Sequence, residues 1–126
     1  MIGGGQLALM LTEAAKNRGI KVCIQTKSSD DPAGLKADYV IESDPLKLKG
    51  NKELIKVCEK IIFENEWIRI EKLNLIESEN IFVPSLESIK PLVDRISQKK
   101  LLERLSLPSP RWKSIEEFKS LNDEEM

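Results

Sequence analysis

Met1-Ile2-Gly3-Gly4-Gly5-Gln6-Leu7-Ala8-Leu9-Met10-Leu11-Thr12-Glu13-Ala14-Ala15 opens the chain and decides how the rest is read. Two apolar residues, three glycines and then a helical repeat mark the junction of a strand with a helix. Leu7, Met10, Leu11, Ala14 and Ala15 recur at i, i+3, i+4, i+7 and i+8, an apolar stripe expected to lie buried against a sheet. Asn17-Arg18-Gly19 ends the helix, with Gly19 as the expected left-handed residue just past it. Gly3, Gly5 and Ala8 fit G-x-G-x-x-G/A. Such a turn allows close backbone approach, and the helix start offers free N–H groups to an anion. The same glycines would also let a helix pack on a sheet, and the pattern alone leaves both readings open.

Working outward, short apolar runs at Ile20–Ile24, Tyr39–Ile41, Ile61–Phe63 and Ile81–Val83 read as strands, the last closed by Pro84. Residues 26–34, with Ser28, Ser29, Asp30, Asp31 and Pro32, read as a loop. Helical patterns cover Asn51–Glu59 and Ile68–Glu77. This alternation predicts an α/β domain with a mostly parallel sheet, in which the opening stub is a poorly formed first strand. After Pro84 the character changes. A short helix from Leu86 meets Pro91, a charged helix follows from Leu92 to Leu105, and Leu107-Pro108-Ser109-Pro110 stops it. Ser114-Ile115-Glu116-Glu117 is a capping box that starts a last helix. The expected division is therefore 1–90 and 91–126. The opening strand is shorter than the usual five or so residues. The second segment has no strands on which to bury its helices. The sequence reads as a piece of a longer chain.

Composition narrows the function classes. The 126 residues carry a net charge of −1, which supplies no electrostatic footprint for nucleic acid or an anionic membrane surface. There is no histidine, which excludes Ser-His-Asp and Cys-His nucleophiles and histidine metal sites. Cys23 and Cys58 lack CxxC spacing and read as buried thiols of a cytoplasmic protein, with a disulfide or a reactive nucleophile as the alternatives. No apolar run approaches the roughly 20 residues of a membrane span, and the opening lacks the basic region of a signal peptide.

Phe63-Glu64-Asn65-Glu66-Trp67 is the second informative stretch. Two carboxylates directly after an Ile-Ile-Phe strand are poor packing residues. If the backbone stays extended, Glu64 and Glu66 share a side. In a sheet of order 3-2-1-4-5 that strand lies beside the first, so its carboxylates and the glycine turn meet at the carboxyl edge, where such folds bind ligands. The alternative is a solvated strand end. Dinucleotide enzymes place an acid at the end of the second strand to hold a ribose. Here Gln25-Thr26-Lys27 stands there and Asp30 comes too late, which argues against NAD and leaves NADP only Lys27. Asp94-Arg95 with Gln98-Lys99-Lys100 and Arg104 reads first as a solvated helix face, and Trp67 and Trp112 as packing residues.

Ile2-Gly3-Gly4-Gly5-Gln6-Leu7, Met10, Ala14-Ala15 and Gly19-Ile20-Lys21-Val22 resemble the opening of the carboxyaminoimidazole ribonucleotide synthetases. These are ATP-grasp ligases of purine biosynthesis, also called phosphoribosylaminoimidazole carboxylase ATPase subunits. Asp31-Pro32-Ala33, Phe63-Glu64-Asn65-Glu66, Pro84-Ser85, Asp94-Arg95, Gln98-Lys99 and Leu107-Pro108 with Pro110 are similar in the same order. The Gln25-Thr26 ending and the Glu-Asn-Glu form resemble cyanobacterial members. The resemblance implies a Rossmann-like pre-ATP-grasp domain followed by the start of the ATP-grasp lid domain. It implies ATP and magnesium, which activate bicarbonate as carboxyphosphate for carboxylation of the amine of aminoimidazole ribonucleotide. It further implies ribonucleotide contacts at Gly5, Gln6, Leu7 and Glu64, with Glu66 as a further candidate, an ATP contact at Arg95, and a homodimer for the full-length enzyme. Many members have Gly-Arg where this chain has Ala8-Leu9, so no arginine contact is carried over. The catalytic groups and magnesium-binding acids are expected beyond Met126. A reading from a different class, a stand-alone Rossmann-like nucleotide-binding module without catalysis, is the alternative.

Overall fold

The computed structural model describes residues 1–75 and 81–118. The chain divides into two compact units, Met1–Lys90 and Pro91–Met126.

In the first unit the glycine turn leads into α1, Gln6–Lys16, followed by the strands β1, Cys23–Thr26, and β2, Tyr39–Glu42. Next come α2, Leu48–Val57, then β3, Ile61–Ile62, the short α3, Ile70–Leu73, then β4, Phe82–Val83, and α4, Leu86–Ile89. β1 pairs in parallel with β2, placing Cys23 opposite Tyr39, and β3 pairs in parallel with β4, placing Ile61 opposite Phe82. Ile2 joins the two pairs through parallel bridges to Gln25 and Phe63. Counting this stub as the first strand, the order across the sheet is 3-2-1-4-5, with every pairing parallel. The stub is held on both sides: Ile2 N–H donates to Ile62 O at 2.9 Å, and Gln25 N–H donates to Met1 O at 2.9 Å.

Side chains alternate between the two faces of the sheet, as strand geometry requires. Met1, Val22 and Ile24 join Ala8 and Ala33 in one core cluster. Ile2, Cys23 and Ile61 join Leu54, Leu73 and Phe82 in the other. The first lies under α1, the second under α2 and α3, so helices cover both faces. Phe63 and Phe82 stack with their ring centroids 5.7 Å apart.

The packing of α1 corrects one expectation. Leu7, Met10 and Leu11 are 50%, 60% and 37% exposed, and Ala14 is exposed as well. The buried residues are Ala8 and Thr12, with Leu9 and Ala15 partly buried. The glycine turn fixes the helix rotation and draws its axis close to the sheet, where only small side chains fit. Thr12 tolerates burial because its hydroxyl donates to Ala8 O at 2.7 Å. Strand β1 also begins later than the apolar run Ile20–Ile24. Gly19 has φ +71°, and Ile20 N–H still donates back to Ala15 O, so the exit from α1 takes up the first residue of that run. The helix expected over Ile68–Glu77 is confined to Ile70–Leu73 within the described residues, and 76–77 lie outside them.

In the second unit, a 3₁₀ turn that begins at Lys90 runs to Leu92. It is followed by α5, Arg95–Arg104, N-capped by Asp94, whose carboxylate accepts from Ser97 N–H at 2.7 Å. Ser106, with φ 54°, ends it. The capping box is reciprocal: Ser114 N–H donates to Glu117 Oε2 at 2.8 Å, and Glu117 N–H donates to Ser114 Oγ at 3.2 Å. Helical backbone follows at 115–118, and the expected end of that helix lies outside the described residues.

Candidate functional site

Gly5 is the N-cap of α1, so no side chain on its own segment can satisfy the first N–H groups, and the first turn holds no acid. Glu64, at the end of the strand that begins with β3, takes that place. Its backbone N–H donates to Ile2 O at 2.9 Å, and its Oε1 accepts from Ala8 N–H at 3.4 Å. The side chain lies directly over the turn. A Cβ on Gly5 would run into the Glu64 carboxylate, and one on Gly3 would lie 2.6 Å from Glu64 Cβ. Gly3 also has φ +109°, which a side chain would strain. The intrahelical ladder begins with Leu9 N–H donating to Gly5 O at 3.0 Å. The N–H groups of Gln6 and Leu7 precede it, on residues that are both exposed. Backbone donors and a carboxylate acceptor therefore converge at the start of α1.

The other wall of the turn comes from residues that the sequence reading did not single out as site residues. Thr26 Oγ1 and Cβ fill the space a Gly4 side chain would need. The Thr26 hydroxyl donates to Asp31 Oδ2, which Ser28 N–H also approaches at 3.4 Å. Ala33, fully buried, donates its N–H to Gly4 O at 3.0 Å. Asp31-Pro32-Ala33 thus folds back onto the glycine turn. The spacing of Thr26 from Asp31, five residues along a loop that closes on Ala33, was the signal available.

Not every candidate is brought to the turn. The backbone bends at Glu64–Glu66, so strand alternation stops there. Of the two glutamates, Glu64 is the one in contact with the glycines, while the Glu66 carbonyl accepts from Ile68 N–H at 2.8 Å. Lys27 pairs with Asp44 at 3.7 Å, and the Leu46 N–H, more than that lysine, holds the Asp44 carboxyl below its ordinary value. Arg95 is the first residue of α5 in the second unit, where its guanidinium donates to Gln98 Oε1 at 2.9 Å. On the same helix Lys99 donates to Ser109 Oγ at 2.8 Å, and Trp112 Nε1 donates to Glu103 Oε1 at 2.7 Å. Among the described residues no three His, Cys, Asp or Glu side chains converge. No described helix is long and apolar enough to cross a membrane.

A glycine turn opening a helix, faced by an acid from the neighbouring strand at the carboxyl edge of a parallel sheet, defines an α/β domain of the Rossmann-like class. Comparison with known proteins narrows the class. The profile of the ribonucleotide synthetase pre-ATP-grasp domain matches residues 1–92, and the chain belongs to that family. The N5-carboxyaminoimidazole ribonucleotide synthases of Synechocystis sp. and Synechococcus elongatus are each 37% identical to it, over 92% and 91% of this chain. The chain spans only 30% and 29% of their lengths. The crystal structure of N5-carboxyaminoimidazole ribonucleotide synthetase from Thermotoga maritima superposes with a TM-score of 0.78 at 28% identity, covering 91% of this chain and 33% of that one. The Staphylococcus aureus N5-carboxyaminoimidazole synthetase, solved with ADP, gives 0.74 at 29% identity over 81% of this chain and 27% of its own.

Proposed function

We propose that residues 1–90 are the ribonucleotide-binding domain, and 91–126 the start of the ATP-grasp central domain, of a cytoplasmic ligase of purine biosynthesis. That ligase converts aminoimidazole ribonucleotide and bicarbonate to carboxyaminoimidazole ribonucleotide. The observation that carries this reading is the Glu64 carboxylate held over Gly3 and Gly5 at the start of α1. The N–H groups of Gln6 and Leu7, with Gly5 leaving room for close approach, donate to the ribonucleotide. Glu64 accepts from its amino or hydroxyl groups and orients it, without serving as a general base. Glu66 is a further contact from the same bend, and Arg95 contacts ATP. ATP and magnesium, which supply the activated carboxyl donor, bind mainly to parts of the enzyme outside these residues. The full-length protein is of the cyanobacterial form, a reading supported by the Gln25-Thr26 and Glu64-Asn65-Glu66 signatures and by the two cyanobacterial relatives, and the family resemblance makes it a homodimer.

Steady-state kinetics on the full-length protein test the assignment. A buried charged hydrogen bond to substrate is worth roughly 1.5–3 kcal/mol, or about 10- to 150-fold in affinity. Glu64→Gln should raise the KM for aminoimidazole ribonucleotide by about that factor and leave the KM for ATP nearly unchanged. Arg95→Ala should do the reverse. Unchanged ribonucleotide parameters in Glu64→Gln would sink the site assignment. The 126-residue chain alone should show no ATP hydrolysis dependent on bicarbonate and ribonucleotide, and measured turnover would overturn the placement of the catalytic groups. A gene whose reading frame beyond Met126 lacks an ATP-grasp lysine strand and glycine-rich loop would favour the stand-alone binding module instead.

A further inference from the structure

Cys23 and Cys58 are distant in sequence, and the fold brings them together at the end of the sheet away from the glycine turn. Cys23 is the first residue of β1, buried in the cluster of Ile2, Leu54 and Ile61. Cys58 terminates α2 in extended backbone, with φ −116° and ψ 140°, and packs half-buried against the same cluster. Cys58 packs against the cluster that holds Cys23, and burial together with the neighbouring Cys58 raises the Cys23 thiol above its ordinary value. Both thiols are free, and both line a cleft of about 710 Å³ together with Met1, Val22, Val57 and Ile62. Two thiols packed in one cluster and lining one cleft differ from two isolated core thiols, because the product of oxidising one forms beside the other.

We propose that Cys23 and Cys58 are a modification site, a thiol pair that closes to an intramolecular disulfide when a hydroperoxide enters the cleft. Cys58, the more exposed sulfur, attacks as its thiolate. An S–O bond forms as the O–O bond breaks, giving a sulfenic acid and releasing water or an alcohol. The Cys23 sulfur then attacks the Cys58 sulfur. The S–S bond forms, the S–O bond breaks, and the departing hydroxide leaves as water with the Cys23 proton. The two thiols lose two electrons and the peroxide gains them. Burial, with Cys58 alongside, pushes the Cys23 thiol up to about 11, which leaves the first attack to Cys58. The cross-link ties the start of β1 to the end of α2 and touches none of Gly3, Gly5 or Glu64, so it restrains the unfolded chain without altering the candidate site.

The test treats the purified 126-residue chain with hydrogen peroxide and follows intact mass, thiol content after denaturation, and the non-reduced peptide map. The expected result is a monomer lighter by two hydrogens, with both thiols lost, one peptide joining Cys23 to Cys58, and full reversal by dithiothreitol. Its melting temperature should exceed that of the reduced chain. Cys23→Ala and Cys23→Ser should each stop at a dimedone-reactive sulfenic acid on Cys58, so that one variant remains informative if the other fails to fold. Cys58→Ser should leave the Cys23 thiol intact over the same time. Sulfinic acid on either residue without a cross-link, disulfide-linked dimers as the main product, or a cross-link that forms only in urea would each overturn the proposal.

Discussion

Gly5 and Glu64 should behave as one energetic unit, and Gly5→Ala shows why. Gly5 has φ −79° and ψ −157°, a region open to any residue, so the backbone itself resists nothing. The three atoms nearest an added Cβ all belong to the Glu64 carboxyl group: Oε1, then Cδ at 3.3 Å and Oε2 at 3.4 Å. The methyl group therefore acts by pushing that carboxylate away from the start of α1. Losing an N-terminal acceptor costs about 1 kcal/mol, within a range of roughly 0.5–2. The Ala8 bond to Glu64 is long at 3.4 Å, which places the cost in the lower half of that range. Glu64→Ala removes the same acceptor. The double variant should thus be destabilised by about as much as either single one, a coupling of about 1 kcal/mol. Gly3→Ala is the control. Its φ of +109° and its approach to Glu64 Cβ at 2.6 Å both survive Glu64→Ala, so its cost should persist in that background. Urea unfolding of the four chains of the cycle, followed by circular dichroism, gives the coupling. Additive costs for Gly5→Ala and Glu64→Ala, within about 0.3 kcal/mol, would refute the placement of Glu64 over the turn.

The packing of α1 makes a second prediction: Met10→Ala, on the exposed face, should change stability by no more than about 0.5 kcal/mol. Ala8→Leu, at a fully buried position, should cost about 1–3 kcal/mol through overpacking, and the reverse ranking in urea unfolding would restore the Leu7-Met10-Leu11 face as the buried one. A third concerns alkaline pH. The Cys23 thiol is raised from an ordinary 9.0 to about 11, so the fold favours its protonated form. That contribution is complete below pH 9 and lost as pH rises through about 11, and stability should fall across this window in the parent chain but less steeply in Cys23→Ala. Equal pH slopes in the two chains would contradict it.

Much of this protein could be read without coordinates because the features concerned are set by neighbours along the chain. Gly19 takes the left-handed conformation beyond α1, and Ser114 and Glu117 cap each other, because the atoms involved lie within a turn of one another. The alternation of short apolar runs with amphipathic stretches was enough to indicate a parallel sheet, and the order 3-2-1-4-5 seen in the pairings is one of the few topologies that parallel connections leave. That order is also what sets the strand ending in Glu64 beside the glycine turn. Other features depend on through-space contacts that periodicity does not encode. The apolar stripe of α1 identified a helix but not its rotation, which the close approach of Ala8 and Thr12 to the sheet determines. Glu66 shares a motif with Glu64 but not its position, because the backbone bends as soon as pairing ends at Phe63. Thr26 and Asp31 became the second wall of the turn only when the loop closed on Gly4. The packing of Cys23 and Cys58 about one cluster is the same kind of fact: residues joined by no local pattern become neighbours because parallel strands all begin at one end of the sheet, and tertiary packing alone decides which.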